Sequence, residues 1–123
     1  MKEEKITAEA LEFILRAAKG AFPDEFSGLL RKNKNGEIAE ILIIPQTTRG
    51  RNFSSMNLYN IPYTSHHCGS VHSHPSPNPR PSKEDLAFFK ATGELHIIAA
   101  YPFSPASLRA YDSDGNQIGL KLA

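Results

Sequence analysis

The sequence predicts one α/β domain, built on a mainly antiparallel or mixed sheet flanked by two main helices. Three observations lead there. The chain has 123 residues, enough to bury one core but not two. Two segments read as helices among short runs rich in strand formers. Asn33-Lys34-Asn35-Gly36 and Asp112-Ser113-Asp114-Gly115 supply the turn chemistry that joins strands into hairpins. No internal repeat is present, so residues 1–123 are read as a single domain.

The elements follow in order. Thr7 is a good N-cap, and Leu11, Ile14, Leu15 and Ala18 recur at helical spacing as one buried stripe. Gly20 and Pro23 are expected to end this helix. Residues 25–30 (EFSGLL) and 38–44 (IAEILII) read as two antiparallel strands. From 45 to 67 the pattern dissolves, although 56–63 could pair as a short edge strand. A loop of that length inside a compact domain is usually functional or mobile. Residues 69–74 (GSVHSH) form a short strand, stopped by Pro75 and a rigid loop carrying Pro77, Pro79 and Pro81. Ser82 opens a helix to about Ala91, which Gly93 closes. Residues 95–101, 107–111 and 117–122 complete the strands.

Composition removes several classes of function. Lysine plus arginine (14) nearly balances aspartate plus glutamate (13), and no run of like charges stands out, so nucleic acid is not an expected partner. The N-terminus MKEEKITAEA lacks the apolar stretch of a signal peptide, and no run approaches the roughly 20 apolar residues that span a bilayer. A soluble, cytoplasmic protein without a membrane partner is expected. A single cysteine, Cys68, makes an intrachain disulfide impossible and excludes thiolate-rich zinc sites. Any metal must therefore rest on histidine and carboxylate.

Such a donor set is present. The chain reads His72-Ser73-His74-Pro75, then six residues, then Ser82-Lys83-Glu84-Asp85. Strand side chains two apart share a face, so His72 and His74 present both imidazoles to one point. Two imidazoles and a carboxylate suit zinc and leave a fourth tetrahedral position open. Zinc lowers the pKa of water from about 15.7 toward about 7, which is what a hydrolase needs. A structural reading stands beside this one: Ser82-x-x-Asp85 at a helix start is also a capping box, with Asp85 favouring the positive helix end. The separate fragments are weak signals; their combination at fixed spacing with three loop prolines is specific.

The motif resembles that of the JAMM (MPN+) zinc metalloproteases, in their short single-domain prokaryotic form. The upstream segment Pro23-Asp24-Glu25-Phe26-Ser27-Gly28-Leu29-Leu30 is similar to the family's first-strand segment, and the order of elements agrees as well. The resemblance implies a cytidine-deaminase-like architecture and a zinc-dependent isopeptidase or peptidase with one zinc per chain. It implies His72, His74 and Asp85 as ligands, Glu25 as general acid/base, and Ser82 as a residue that steadies the oxyanion. Without it, Glu25, 47 residues before His72, would read as an exposed acid at a strand start.

Other candidates are set aside. Cys68 shares strand parity with His72 but lies about 13 Å away along an extended chain, too far for one metal, and is expected to be a small buried residue. His66 and His67 are expected to be solvated, and His96 to be a satisfied structural histidine. Arg49 and Arg51 read as solvated surface, with the seating of an acidic partner as a second reading that the resemblance supplies. Tyr101, Phe103 and Tyr111 are expected in core or edge packing.

Two enzymatic functions share this site: release of a ubiquitin-like small modifier from conjugates by hydrolysis after its C-terminal tail, and processing of a ubiquitin-like sulfur-carrier protein. The alternative of another class is a noncatalytic scaffold domain, against which the retained Glu25, His72, His74 and Asp85 argue.

Overall fold

The computed structural model describes residues 2–44 and 67–123. The candidate edge strand at 56–63, together with Arg49, Arg51 and His66, lies outside the described residues. Strand β1 (Glu3–Ile6) leads into helix α1 (Ala8–Ala21), followed by β2 (Ser27–Lys32), β3 (Ile38–Ile43) and β4 (Gly69–His74). Helix α2 (Lys83–Thr92), β5 (Leu95–Ala100), a 3-10 turn (Pro105–Ser107), β6 (Leu108–Tyr111) and β7 (Gln117–Leu122) complete the chain.

The strands close into a barrel in the order β1-β3-β2-β4-β5-β6-β7. Three pairings are parallel, β1 with β3, β1 with β7 and β4 with β5, and the other four are antiparallel. The expected mixed sheet with two helices is therefore present. Its closure was not expected, because the closing strand β1 (EEKI) is four residues long, mostly charged, and without the apolar alternation that marks a strand.

Local chemistry explains the helices. Thr7 caps α1 through its side chain, which accepts from the Ala10 amide at 3.1 Å, and Ala10, Ile14 and Ala18 form the buried stripe. The helix runs through Gly20 to Ala21, past the expected stop, and Phe22 caps its C-terminus. The chain then turns through Pro23 and Asp24, so β2 begins at Ser27 and Glu25 lies outside it, two residues later than the sequence suggested.

Strand alternation divides the sheet into two unlike faces. Val71 of β4 and Leu95, Ile97 and Ala99 of β5 join Ile6, Ile14, Ala18, Leu30 and Ile38 in the main core under α1. Ile98 packs instead with Phe88, Phe89 and Tyr111 in a smaller cluster on the α2 side. Ser70, His72 and His96 have the same parity as Ile98, or stand opposite it across the β4–β5 register, and all three are fully buried. Polar side chains are thus concentrated on the α2 face. β4 and β5 start in close contact: a Cβ on Gly69 would meet the Leu95 carbonyl oxygen at 1.5 Å, so only glycine fits there.

Candidate metal centre

The last residues of β4 and the first turn of α2 build the site. His72 and His74 point to the same side of β4, as their spacing predicts, and α2 brings Asp85 against both. The two Nε2 atoms are 3.1 Å apart. His72 Nε2 stands 3.3 Å from Asp85 Oδ1, and His74 Nε2 stands 3.3 Å from Asp85 Oδ2. Tetrahedral zinc with bonds of about 2.0–2.1 Å separates neighbouring ligand atoms by roughly 3.3 Å. The cluster of His72, His74 and Asp85 thus fits one Zn2+ in both donor chemistry and spacing.

Its electrostatics suit a cation. Burial on its own would push the Asp85 carboxyl up, but hydrogen bonding to His72 and His74 outweighs it and holds the group well below the usual carboxylate range. For His74, burial favours the neutral ring. The hydrogen bonds to Asp85 and the Asn78 carbonyl oppose it and raise the pKa above the ordinary value, and Glu25 adds its negative charge to the same effect. A metal must displace that proton, so uptake weakens as pH falls.

The His74 ring is oriented from behind. His74 Nδ1–H donates to the Asn78 carbonyl at 2.9 Å, which fixes the tautomer and leaves the Nε2 lone pair toward the site. As a backbone group, that carbonyl carries no residue-type signal, and sequence reasoning missed it. Ser73, between the two histidines, was also missed. Its amide donates to the Phe26 carbonyl at 2.9 Å, and its hydroxyl accepts from the Phe26 amide at 2.8 Å.

This tie determines where Glu25 lies. Ser27 is opposite His72 in the β2–β4 register, and the Phe26–Ser73 bonds carry the pairing one step beyond it. Glu25 precedes Phe26 outside β2, and its negative charge acts on His74. Glu25 is half-buried and faces an open cavity of about 330 Å³, lined also by Asp24, Ser27, Ile43 and Ile44.

The capping-box reading of Ser82-x-x-Asp85 is realised, and the same Asp85 carboxylate also faces the histidine pair. The Ser82 hydroxyl accepts from the Asp85 amide at 3.1 Å, and Asp85 Oδ2 accepts from the Ser82 amide at 2.9 Å, a complete capping box. Ser82 is exposed, and its hydroxyl proton is not consumed by the cap.

Among the described residues, His96, Tyr101, Phe103 and Tyr111 fall where expected, and Cys68 and His67 need adjustment, since both are half-buried. His96 is fully buried, receives the Ser70 hydroxyl on Nδ1 at 2.6 Å, donates from Nε2 to the Gly93 carbonyl at 2.9 Å and stacks on Phe89. Burial pushes its pKa down to about 4, so it is a neutral structural histidine. Cys68 is only half-buried, with its thiol directed to the Leu30 carbonyl. Phe103 and Tyr111 are buried, while Tyr101 packs at the surface against Phe22 and Phe103.

Residues 7–114 match the family of prokaryotic homologues of the JAB domain. The chain belongs to that family. Among JAB relatives, a probable metalloprotease of Haloferax volcanii is 35% identical over 119 residues, covering 89% of this chain and 73% of the relative. A solved structure described as a JAMM metalloprotease-like zinc site in the proteasome and signalosome is 35% identical, with a TM-score of 0.77 over 99% of both chains. A JAB1/MPN domain protein from Archaeoglobus fulgidus is 37% identical, with a TM-score of 0.78 over 97% of this chain and 98% of the other.

Proposed function

We propose that this JAB domain, taken as one catalytic unit, is a zinc-dependent isopeptidase or peptidase that removes a ubiquitin-like small modifier from conjugates by hydrolysis after its C-terminal tail. The coarser part, a zinc metallopeptidase, is supported by the family, by the relative named as a probable metalloprotease and by the zinc-compatible donor cluster. The observation that carries the reading is that the Phe26–Ser73 bonds bring the residue after Glu25 against the strand of the two histidines, near enough for the Glu25 charge to act on His74 of the cluster. A carboxylate near enough to act on a metal-binding histidine is what proton transfer at a cleaved amide requires.

In this reading His72, His74 and Asp85 hold the metal. Bound there, zinc supplies Lewis acidity toward a carbonyl oxygen and acidifies water. Glu25 accepts the proton of the attacking water and returns it to the departing amine nitrogen. The free hydroxyl proton of Ser82 is available to donate to the oxygen that gains negative charge. Asn78 keeps His74 in the tautomer that leaves Nε2 basic. The ubiquitin-like substrate draws its support from the family resemblance. No helix among the described residues is long and apolar enough to cross a membrane.

The test is cleavage of isopeptide-linked and linear fusions of ubiquitin-like proteins by the zinc-loaded chain. Wild type is expected to cut after the modifier tail. Glu25→Gln should lower kcat by about 10²–10⁴-fold while retaining one zinc per chain. Full activity in Glu25→Gln would remove that residue from the mechanism. Failure on every ubiquitin-like fusion, alongside cleavage of other peptides, would reassign the substrate.

A further inference from the structure

We propose that Tyr111 is a positioning residue for the metal centre: its hydroxyl holds the 75–81 loop so that the Asn78 carbonyl stays on His74. The inference rests on His74 being a metal ligand, as set out above, and assigns a role to a residue on a strand outside the metal-binding motif.

Tyr111 ends β6 and is 5% exposed, with its ring beside Phe89 at a centroid distance of 6.3 Å. Its hydroxyl donates to the Pro79 carbonyl at 2.7 Å, across 32 residues of sequence. Burial raises its pKa, which keeps the hydroxyl a donor. The preceding carbonyl, Asn78, is the one that receives His74 Nδ1–H at 2.9 Å. Two successive carbonyls therefore face two different partners, one in the framework and one in the site. Proline at 79 fixes φ and removes the amide hydrogen between them, so little freedom remains for one carbonyl to turn while the other is held.

The rest of the loop does not supply this restraint. Its Asn78 side chain accepts from the Arg80 amide at 3.0 Å, a bond internal to the loop. The Ser76 carbonyl is tied to the Tyr101 amide at 3.1 Å, but that bond holds only the loop's start. Residues 75–78 are exposed, so packing does not lock them. Among the described residues, the Tyr111 hydroxyl is the contact that anchors the loop at the peptide next to Asn78. Groups that orient a metal-binding histidine typically change metal affinity by about 10–100-fold when lost.

The experiment compares wild type, Tyr111→Phe and Phe88→Leu. Tyr111→Phe keeps the ring and removes the hydroxyl; Phe88→Leu loosens the same apolar cluster and leaves the Tyr111 hydroxyl in place. Zinc affinity is measured by chelator competition, and the His74 Nδ1–H signal by long-range 1H–15N spectra of the imidazoles. Tyr111→Phe is expected to weaken zinc binding about tenfold and to speed exchange of the His74 Nδ1 proton with water. Phe88→Leu is expected to lower Tm with both readouts at wild-type values. Zinc affinity within twofold of wild type and an unchanged His74 signal in Tyr111→Phe would overturn the inference alone. Equal losses in both variants would reduce Tyr111 to a packing role. A wild-type protein that takes up no zinc would overturn the functional reading and this inference with it.

Discussion

The two faces of the sheet come from the same strands and do different work. Beneath α1, Val71, Leu95, Ile97 and Ala99 meet an aliphatic core. One residue further along the same strands, Ser70, His72 and His96 face α2, where Asp85 and Phe89 wait for them. Burial is equally complete on both faces, so exposure does not separate function from framework. What separates them is that Ser70, His96, Asp85 and His72 Nε2 on the α2 side have directed partners, whereas the α1 side relies on shape and apolar area. One face holds the domain together, and the other holds a charge.

That division can be attacked from either side. The largest effect should come from His72→Ala, which removes one of three donors. The variant is expected to retain less than one-tenth of the wild-type zinc content by metal analysis after dialysis, with its circular dichroism preserved. Next is Ile97→Ala on the opposite face of the neighbouring strand, expected to cost about 2–5 kcal/mol in urea denaturation while the folded protein still binds zinc. If Ile97→Ala weakened zinc as much as His72→Ala did, the two faces would not be separable.

His96 tests the α2 face by pH. Its folded pKa of about 4 lies below the unfolded value near 6.5, so between these values the unfolded chain binds the extra proton and stability falls as pH falls. From pH 7 to pH 5 this residue should cost about 2 kcal/mol. His96→Gln should flatten the pH dependence of the unfolding free energy by that amount, and parallel profiles for the two proteins would contradict the buried neutral ring. The smallest effect belongs to the α1 side: Thr7→Ala removes a helix cap and should cost about 1 kcal/mol without changing zinc content.

How far the sequence revealed this arrangement depended on the range of each interaction. The parity of His72 and His74 and the Ser82–Asp85 cap are local, and both were legible from spacing. The α1 stripe was legible for the same reason. β1 was not, because a four-residue charged segment becomes a strand only by parallel pairing with β3 and β7, which no local pattern encodes. Gly20 was misjudged as a helix stop because its cost inside a helix, about 1 kcal/mol, is overridden where the flanking residues pack. For Glu25, resemblance supplied the role, while the approach to His74 came from the β2–β4 register and the Phe26–Ser73 bonds, 47 residues apart in the chain.

The capping box at Asp85 has a consequence for how metal loading can be followed. One carboxylate serves both the first turn of α2 and the histidine cluster, so the two are thermodynamically linked. A cation that fixes the carboxylate also fixes the acceptor of the Ser82 amide. Hydrogen–deuterium exchange at that amide should slow when zinc is present, which makes a single backbone proton a reporter of occupancy in a protein whose favoured metal has no colour of its own.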